Sequence, residues 1–177
     1  MANKILYIFV EGVDDKRFFE RIIKPMFDKN YDSVVLHEYR QQKEDYVIKF
    51  LKSIKSMGAD YIYVRDINSS PCVTAKKGDI KDKLKTIDEN KVIVVIKEIE
   101  SWYLAGLSEE NVKKFKINQS KIKDTDSITK EQFNKLIPEK FKDSRINFMI
   151  ELLEHFSIET GKQRNMSFKY FSDKYIG

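Results

Sequence analysis

The amino-acid sequence predicts an α/β protein: a four-stranded parallel, Rossmann-like sheet flanked by helices, followed by a C-terminal helical extension. Three observations carry that prediction. Continuous apolar runs, of which Ile5-Leu6-Tyr7-Ile8-Phe9-Val10 and Val92-Ile93-Val94-Val95-Ile96 are the longest, have the pattern of strands buried on both faces. Between such runs lie segments whose apolar residues recur at helical spacing, and alternating strands and helices imply a parallel sheet with right-handed crossovers. Finally, three of the four runs lead into short acidic clusters: Glu11-Gly12-Val13-Asp14-Asp15, Asp66-Ile67-Asn68 and Glu98-Ile99-Glu100. In an open parallel sheet, ligands bind beyond the carboxyl ends of the strands.

The first strand is Ile5 to Val10. Asp14 or Asp15 caps the helix that follows, where Phe18, Phe19, Ile22, Ile23 and Met26 share a face and Pro25 bends or finishes it. Ser33 to Tyr39 is the second strand. Glu44 to Met57 is a helix with Tyr46, Val47, Phe50, Leu51 and Ile54 on one face and Gly58 as its C-cap. Tyr61 to Arg65 is the third strand, Asn68-Ser69-Ser70-Pro71 a turn, and a helix spans Lys76 to Asp88. Lys91 to Ile96 is the fourth strand. With the first and third strands adjacent at a topological switch point, Glu11 and Asp66 face one another. Beyond Glu98 only helices are expected: one at Trp102-Tyr103-Leu104, one starting at Ser108-Glu109-Glu110, an amphipathic one from Ser144 to Phe156, and a closing one from Ser167 to Ile176. Ile117 to Ser127 reads as a flexible polar loop. Residues 1–106 are thus the α/β core, and residues 107–177 a helical extension packed on it.

At 177 residues the chain can bury a sizeable core. Lys and Arg number 33 against 28 Asp and Glu, a net charge of +5. That excess favours a polyanion such as nucleic acid as partner, and serves solubility equally well. One cysteine, Cys72, and two histidines, His37 and His155, allow neither an internal disulfide nor a Cys/His metal centre. Met1-Ala2-Asn3-Lys4 leads directly into the first strand and leaves no room for a secretory leader. The apolar runs are far shorter than the roughly 20 residues that cross a bilayer. A cytoplasmic protein with no membrane association is expected. No P-loop, dinucleotide-binding glycine motif or nucleophile elbow is present.

Each acidic cluster has two readings. Gly12 after a buried strand permits positive φ or close approach of a phosphate, presenting Glu11 at the strand tip; alternatively it only serves the turn. Asp14 and Asp15 suit a helix N-terminus on dipole grounds alone, with metal binding the minor reading. Asp66 and Asn68, two residues apart, put two oxygen donors on one side of an extended segment, or form a turn. Glu98 and Glu100 would supply a second-metal ligand or a general base, or would stabilise the N-terminus of the Trp102 helix. Lys162 and Arg164 offer cations for a phosphate, or belong to a solvated basic loop. Carboxylates converging from several strand tips repel unless a cation lies between them, and oxygen-only donors suit Mg²⁺ or Mn²⁺.

These residues, in this order, resemble the Toprim domain shared by topoisomerases, DnaG-type primases, RNase M5 and OLD-type nucleases. Glu11-Gly12 is similar to that family's strand-end glutamate motif. Asp66-Ile67-Asn68 resembles its D-x-D motif with asparagine in the last place. Glu98 and Glu100 look like the acidic positions that follow the fourth strand in small stand-alone members, and Asn165-Met166-Ser167-Phe168 looks like their ending. The resemblance covers roughly the first hundred residues. It implies Mg²⁺- or Mn²⁺-dependent phosphodiester chemistry on DNA or RNA, in repair or in defence against mobile DNA. Glu11, Asp66 and Glu98 would be catalytic and hold the metals, assisted by Asn68 and Glu100. Gly12, Lys162 and Arg164 would bind phosphate. Lacking the ATPase domain of full OLD proteins, such a chain would act alone, as a homo-oligomer, or with a separately encoded partner. A metal- and phosphate-binding regulatory module without turnover is the alternative.

Overall fold

The computed structural model describes residues 3–177, so Met1 and Ala2 of the expected leader-free start lie outside the described residues. The chain divides into two compact units, Met1–Val94 and Val95–Gly177. The sheet is four-stranded and parallel, as the sequence predicts, with β1 (Ile5–Val10), β2 (Ser33–Glu38), β3 (Asp60–Asp66) and β4 (Val92–Val95) in the order β2-β1-β3-β4. The central β1 buries residues on both faces, which is why its sequence is continuously apolar. Edge strand β2 instead leaves Ser33 and Val35 exposed.

The segment after β1 decides between the two expectations for Pro25. Pro25 does not finish its helix. The chain runs from α1 (Val13–Phe18) through a single π-helical turn at Phe19–Ile23 into α2 (Lys24–Phe27), with Pro25 in the first turn of α2. Proline has no N–H to donate back and its ring crowds the carbonyl four residues earlier, so a wider preceding turn accommodates it. On one face of the sheet, α3 (Glu44–Ser56) buries Val47, Leu51 and Ile54, a helical stripe packed with Phe9, Tyr61 and Tyr63 of the strands. Ile80 and Leu84 of α4 (Val73–Leu84) join the same cluster. The α4 helix starts earlier and stops sooner than expected. Cys72 caps it, its Sγ accepting the Ala75 N–H at 3.5 Å, and Lys85 ends it with φ 52°.

The second unit is built around α5 (Glu100–Ala105), in which Trp102, Tyr103 and Leu104 have no solvent exposure. Burying each such side chain contributes on the order of 2–3 kcal/mol. Around it are α6 (Glu109–Lys114), α7 (Lys130–Lys135), α8 (Arg145–Glu154), α9 (Ile158–Arg164) and α10 (Met166–Tyr175). Two of these, α7 and α9, have no apolar stripe long enough to read. Their signals are polar: Thr129 and Gln132 form a reciprocal capping box, and Ser157 caps α9. The supposed flexible loop at Ile117 to Ser127 is a packed connection. Ile122 and Thr125 are fully buried, and the Thr125 N–H donates to the Arg164 carbonyl at 2.9 Å. Gly106 is required by close packing, since a Cβ there would lie 2.3 Å from the Phe156 ring.

Candidate functional site

The register of β1 on β3 decides what surrounds Glu11. Leu6 pairs with Asp60 and Phe9 with Tyr63. Two residues further on, Glu11 comes level with Arg65, whose Nε lies 3.6 Å from Glu11 Oε2. The same carboxylate oxygen accepts the Asp66 N–H at 3.5 Å. Glu11 and Asp66 are therefore brought together at adjacent strand tips. Burial works against the charge of Arg65, but Tyr39 and Glu11 outweigh it and its pKa is raised. The guanidinium also lies 5.6 Å from the centre of the Tyr39 ring. Tyr39 in turn donates its hydroxyl to the Val64 carbonyl at 2.7 Å and stacks on Tyr63 at 4.6 Å. Burial raises the pKa of both tyrosines, so both stay neutral hydrogen-bonding groups.

The neighbouring residues of the two motifs have local work. Asn68 adopts φ 50°, and its Nδ2 donates to the Asp66 carbonyl at 3.3 Å, so its amide closes the turn after β3. Asparagine is among the few residues that tolerate that backbone region. Gly12 has φ −148° and ψ −171°, extended backbone open to any residue, and an added Cβ would meet nothing nearer than 3.8 Å. Of the freedoms glycine permits there, positive φ is thus not used. The Gly12 N–H donates to Asp15 Oδ2 at 3.2 Å, and Asp14 pairs with Arg17 at 2.6 Å, which is helix-terminus work for both aspartates.

In the second unit the acidic residues after β4 are held differently. Lys97 turns the chain with φ 63°, and the Glu98 Oε2 accepts the Lys130 N–H at the start of α7 at 2.5 Å. Glu100 is 4% exposed and pairs with Arg145, whose Nη2 lies 2.5 Å from its Oε1. Lys162 pairs with Asp173 at 2.7 Å, which raises its pKa. Arg164 donates to the Leu107 carbonyl, and burial lowers its pKa. Asn165 and Ser167 belong to a buried network. Asn165 Nδ2 donates to Ser101 and Thr125, its Oδ1 accepts the Phe168 N–H at 2.9 Å, and Ser167 Oγ accepts the Trp102 indole N–H at 2.8 Å. The closing Asn165-Met166-Ser167-Phe168 motif therefore has a packing explanation. Among the described residues of each unit, no group of three or more His, Cys, Asp or Glu is placed to hold a metal ion.

Sequence reasoning passed over a cavity of about 470 Å³ in the first unit, at the Glu11 tip of the sheet. Its walls include Glu11, Tyr39, Arg40, Arg65 and Lys76. The available signal was the period of α4, where Lys76, Ile80, Lys83 and Leu84 fall on one helical face. A lysine there ordinarily reads as solvated.

No family model matches this chain, and no curated protein matches it. Among solved structures, the C-terminal region of the Xanthomonas campestris pv. campestris OLD protein is similar at 13% identity and a TM-score of 0.38. The match covers 95% of this chain and 84% of that one. A likeness at that score carries no argument about activity. No described helix is long and apolar enough to cross a membrane.

Proposed function

We propose that the chain is a Mg²⁺- or Mn²⁺-dependent phosphodiesterase acting on DNA or RNA, with Glu11 and Asp66 as the residues that hold the ion. The observation that carries this reading is the juxtaposition of Glu11 and Asp66 on adjacent strand tips, with 3.5 Å between the Glu11 carboxylate and the Asp66 N–H. Mg²⁺ is commonly held by only one or two carboxylates, with water and substrate phosphate completing its shell, so this donor set fits the ion. When bound, the ion supplies charge neutralisation at a phosphoryl oxygen and an acidified water. The chain's own part is to place substrate. Arg65, steadied by Glu11 and Tyr39, presents a guanidinium suited to a phosphate oxygen, and the buried tyrosine pair beneath it excludes water.

The part expected of Glu98 is that of a ligand or general base, and of Glu100 that of an assisting residue; both belong to the second unit. Either role requires giving up the present bond to Lys130 N–H or to Arg145. Glu98→Gln separates the possibilities, because the amide oxygen still accepts the Lys130 N–H while the charge is gone. Loss of cleavage with an unchanged melting temperature assigns Glu98 to the reaction.

The test is incubation with single- and double-stranded DNA and RNA in Mg²⁺, in Mn²⁺ and in EDTA. Metal-dependent cleavage lost in Glu11→Ala supports the reading; cleavage undiminished in that variant, or none on any substrate, sinks it. A second reading, a binding module without turnover, is favoured by the Arg65–Glu11 ion pair, which neutralises Glu11 without a metal, and by the turn role of Asn68. Calorimetric binding of metal and nucleotide without product selects it.

A further inference from the structure

The cavity beside Glu11 is lined by more cationic charge than the strand-tip carboxylates require. Arg65 is satisfied by Glu11, but Arg40, Lys76 and Lys83 also line it. The side chains of these three make no hydrogen bond or ion pair among the described residues. Lys76 is the telling one. It is only 9% exposed and lines the cavity, yet its side chain makes no hydrogen bond or ion pair among the described residues. A covered cation without a partner is unfavourable, so such groups are normally paired or serve a ligand. Burial, then repulsion from Arg65, pulls the Lys76 pKa below its ordinary value, while Glu11 and Asp79 offset this in part. Two carboxylates line the cavity besides Glu11. Asp79 accepts a hydrogen bond from Ser70 at 3.3 Å, and Glu44 sits in the first turn of α3.

The shape narrows the ligand. A protein that follows a nucleic-acid backbone presents an open stripe of cations, each meeting one singly charged phosphodiester. Here the cations come from separate elements and converge on one concave site: Arg40 after β2, Arg65 on β3, and Lys76 and Lys83 on α4. A volume of about 470 Å³ is in the range of pockets that hold a nucleotide-sized molecule. A phosphate monoester carries close to two charges near neutral pH and three acceptor oxygens, and it matches several convergent cations better than a diester does. We propose that this cavity binds a terminal phosphate monoester, either the phosphorylated end of a nucleic-acid strand or a free nucleotide, with Lys76 as its central contact. The site needs no metal and does not depend on cleavage.

The experiment measures binding in EDTA, so that its outcome is separate from the metal-dependent reading. The probes are a short oligonucleotide with a 5′-phosphate or 5′-hydroxyl, the same oligonucleotide with a 3′-phosphate, a nucleoside monophosphate with its nucleoside, and inorganic phosphate as competitor. At least one phosphorylated probe should bind tenfold or more tighter than its unphosphorylated counterpart, and inorganic phosphate should compete. Preference for an oligonucleotide end assigns a strand terminus; preference for the monophosphate assigns a free nucleotide. Lys76→Met and the exposed Arg40→Gln should each abolish the preference, while Lys49→Met, on the solvent side of α3, should keep it. Arg40→Gln guards against a misfolded Lys76 variant. Equal affinity for phosphorylated and unphosphorylated probes, or a preference that survives both Lys76→Met and Arg40→Gln, overturns the proposal.

Discussion

The same local pattern, an acidic residue just past a buried strand, has different surroundings in the two units. After β1 and β3, Glu11 and Asp66 come together beside a cavity lined with cations, several of which make no side-chain hydrogen bond or ion pair among the described residues. After β4, Glu98 holds the backbone of α7 and Glu100 is buried against Arg145. The difference teaches that position at a strand end does not by itself make a carboxylate available. What separates the two cases is which neighbours have already satisfied it. A carboxylate whose oxygens meet a helix N-terminus, or that is itself buried against an arginine, is holding the fold; one that meets a partly exposed arginine and one long backbone N–H contact at a cavity rim remains open to a ligand.

Substitutions can break that comparison. Glu100→Ala should have the largest effect on stability, about 3–5 kcal/mol in urea unfolding, because it removes the buried carboxylate that pairs with the largely covered Arg145. A loss under about 1 kcal/mol would move Glu100 into the same class as Glu11. Asn165→Ala removes a cap and leaves the Ser101 and Thr125 hydroxyls short of a partner, so a loss of about 2 kcal/mol is expected by the same measurement. Glu11→Gln, by contrast, should change stability by less than about 1 kcal/mol, as for other partly exposed ion pairs, while removing any metal-dependent activity. The smallest effect is a pH dependence that reports on the first unit alone. Burial among Phe9, Tyr46 and Phe50 lowers the pKa of His37 below 6.5, with Glu38 opposing it. The unfolded chain then takes up a proton that the folded one refuses, so stability falls as pH drops through 6.5 and levels off below the folded pKa. His37→Phe should flatten that part of the profile in thermal melts; an unchanged profile would assign the dependence elsewhere.

The sheet was legible because its strands are continuous apolar runs separated by periodic segments, and the β1–β3 pairing that joins Glu11 to Asp66 follows from crossover topology. Helices α7 and α9 were hidden because six- and seven-residue helices show too little periodicity, and they are specified by caps instead. The roles of Glu98 and Glu100 were not legible, since their partners Lys130 and Arg145 are more than thirty residues away in sequence. The cavity was hidden for the same reason: Arg40, Arg65 and Lys76 are unremarkable in isolation and meet only through the fold.

Calorimetric melting with and without Mn²⁺, on the wild type and on Asp66→Asn, tests most directly whether the first-unit tip is a metal site. Because Arg65 already neutralises Glu11, Asp66→Asn should alter the metal-free protein little. At a hundredfold excess over Kd, Mn²⁺ should stabilise the wild type by about 2.7 kcal/mol through binding to the folded state alone, and the variant by much less. A wild type that does not respond to Mn²⁺, or a variant that responds as fully, would contradict the account.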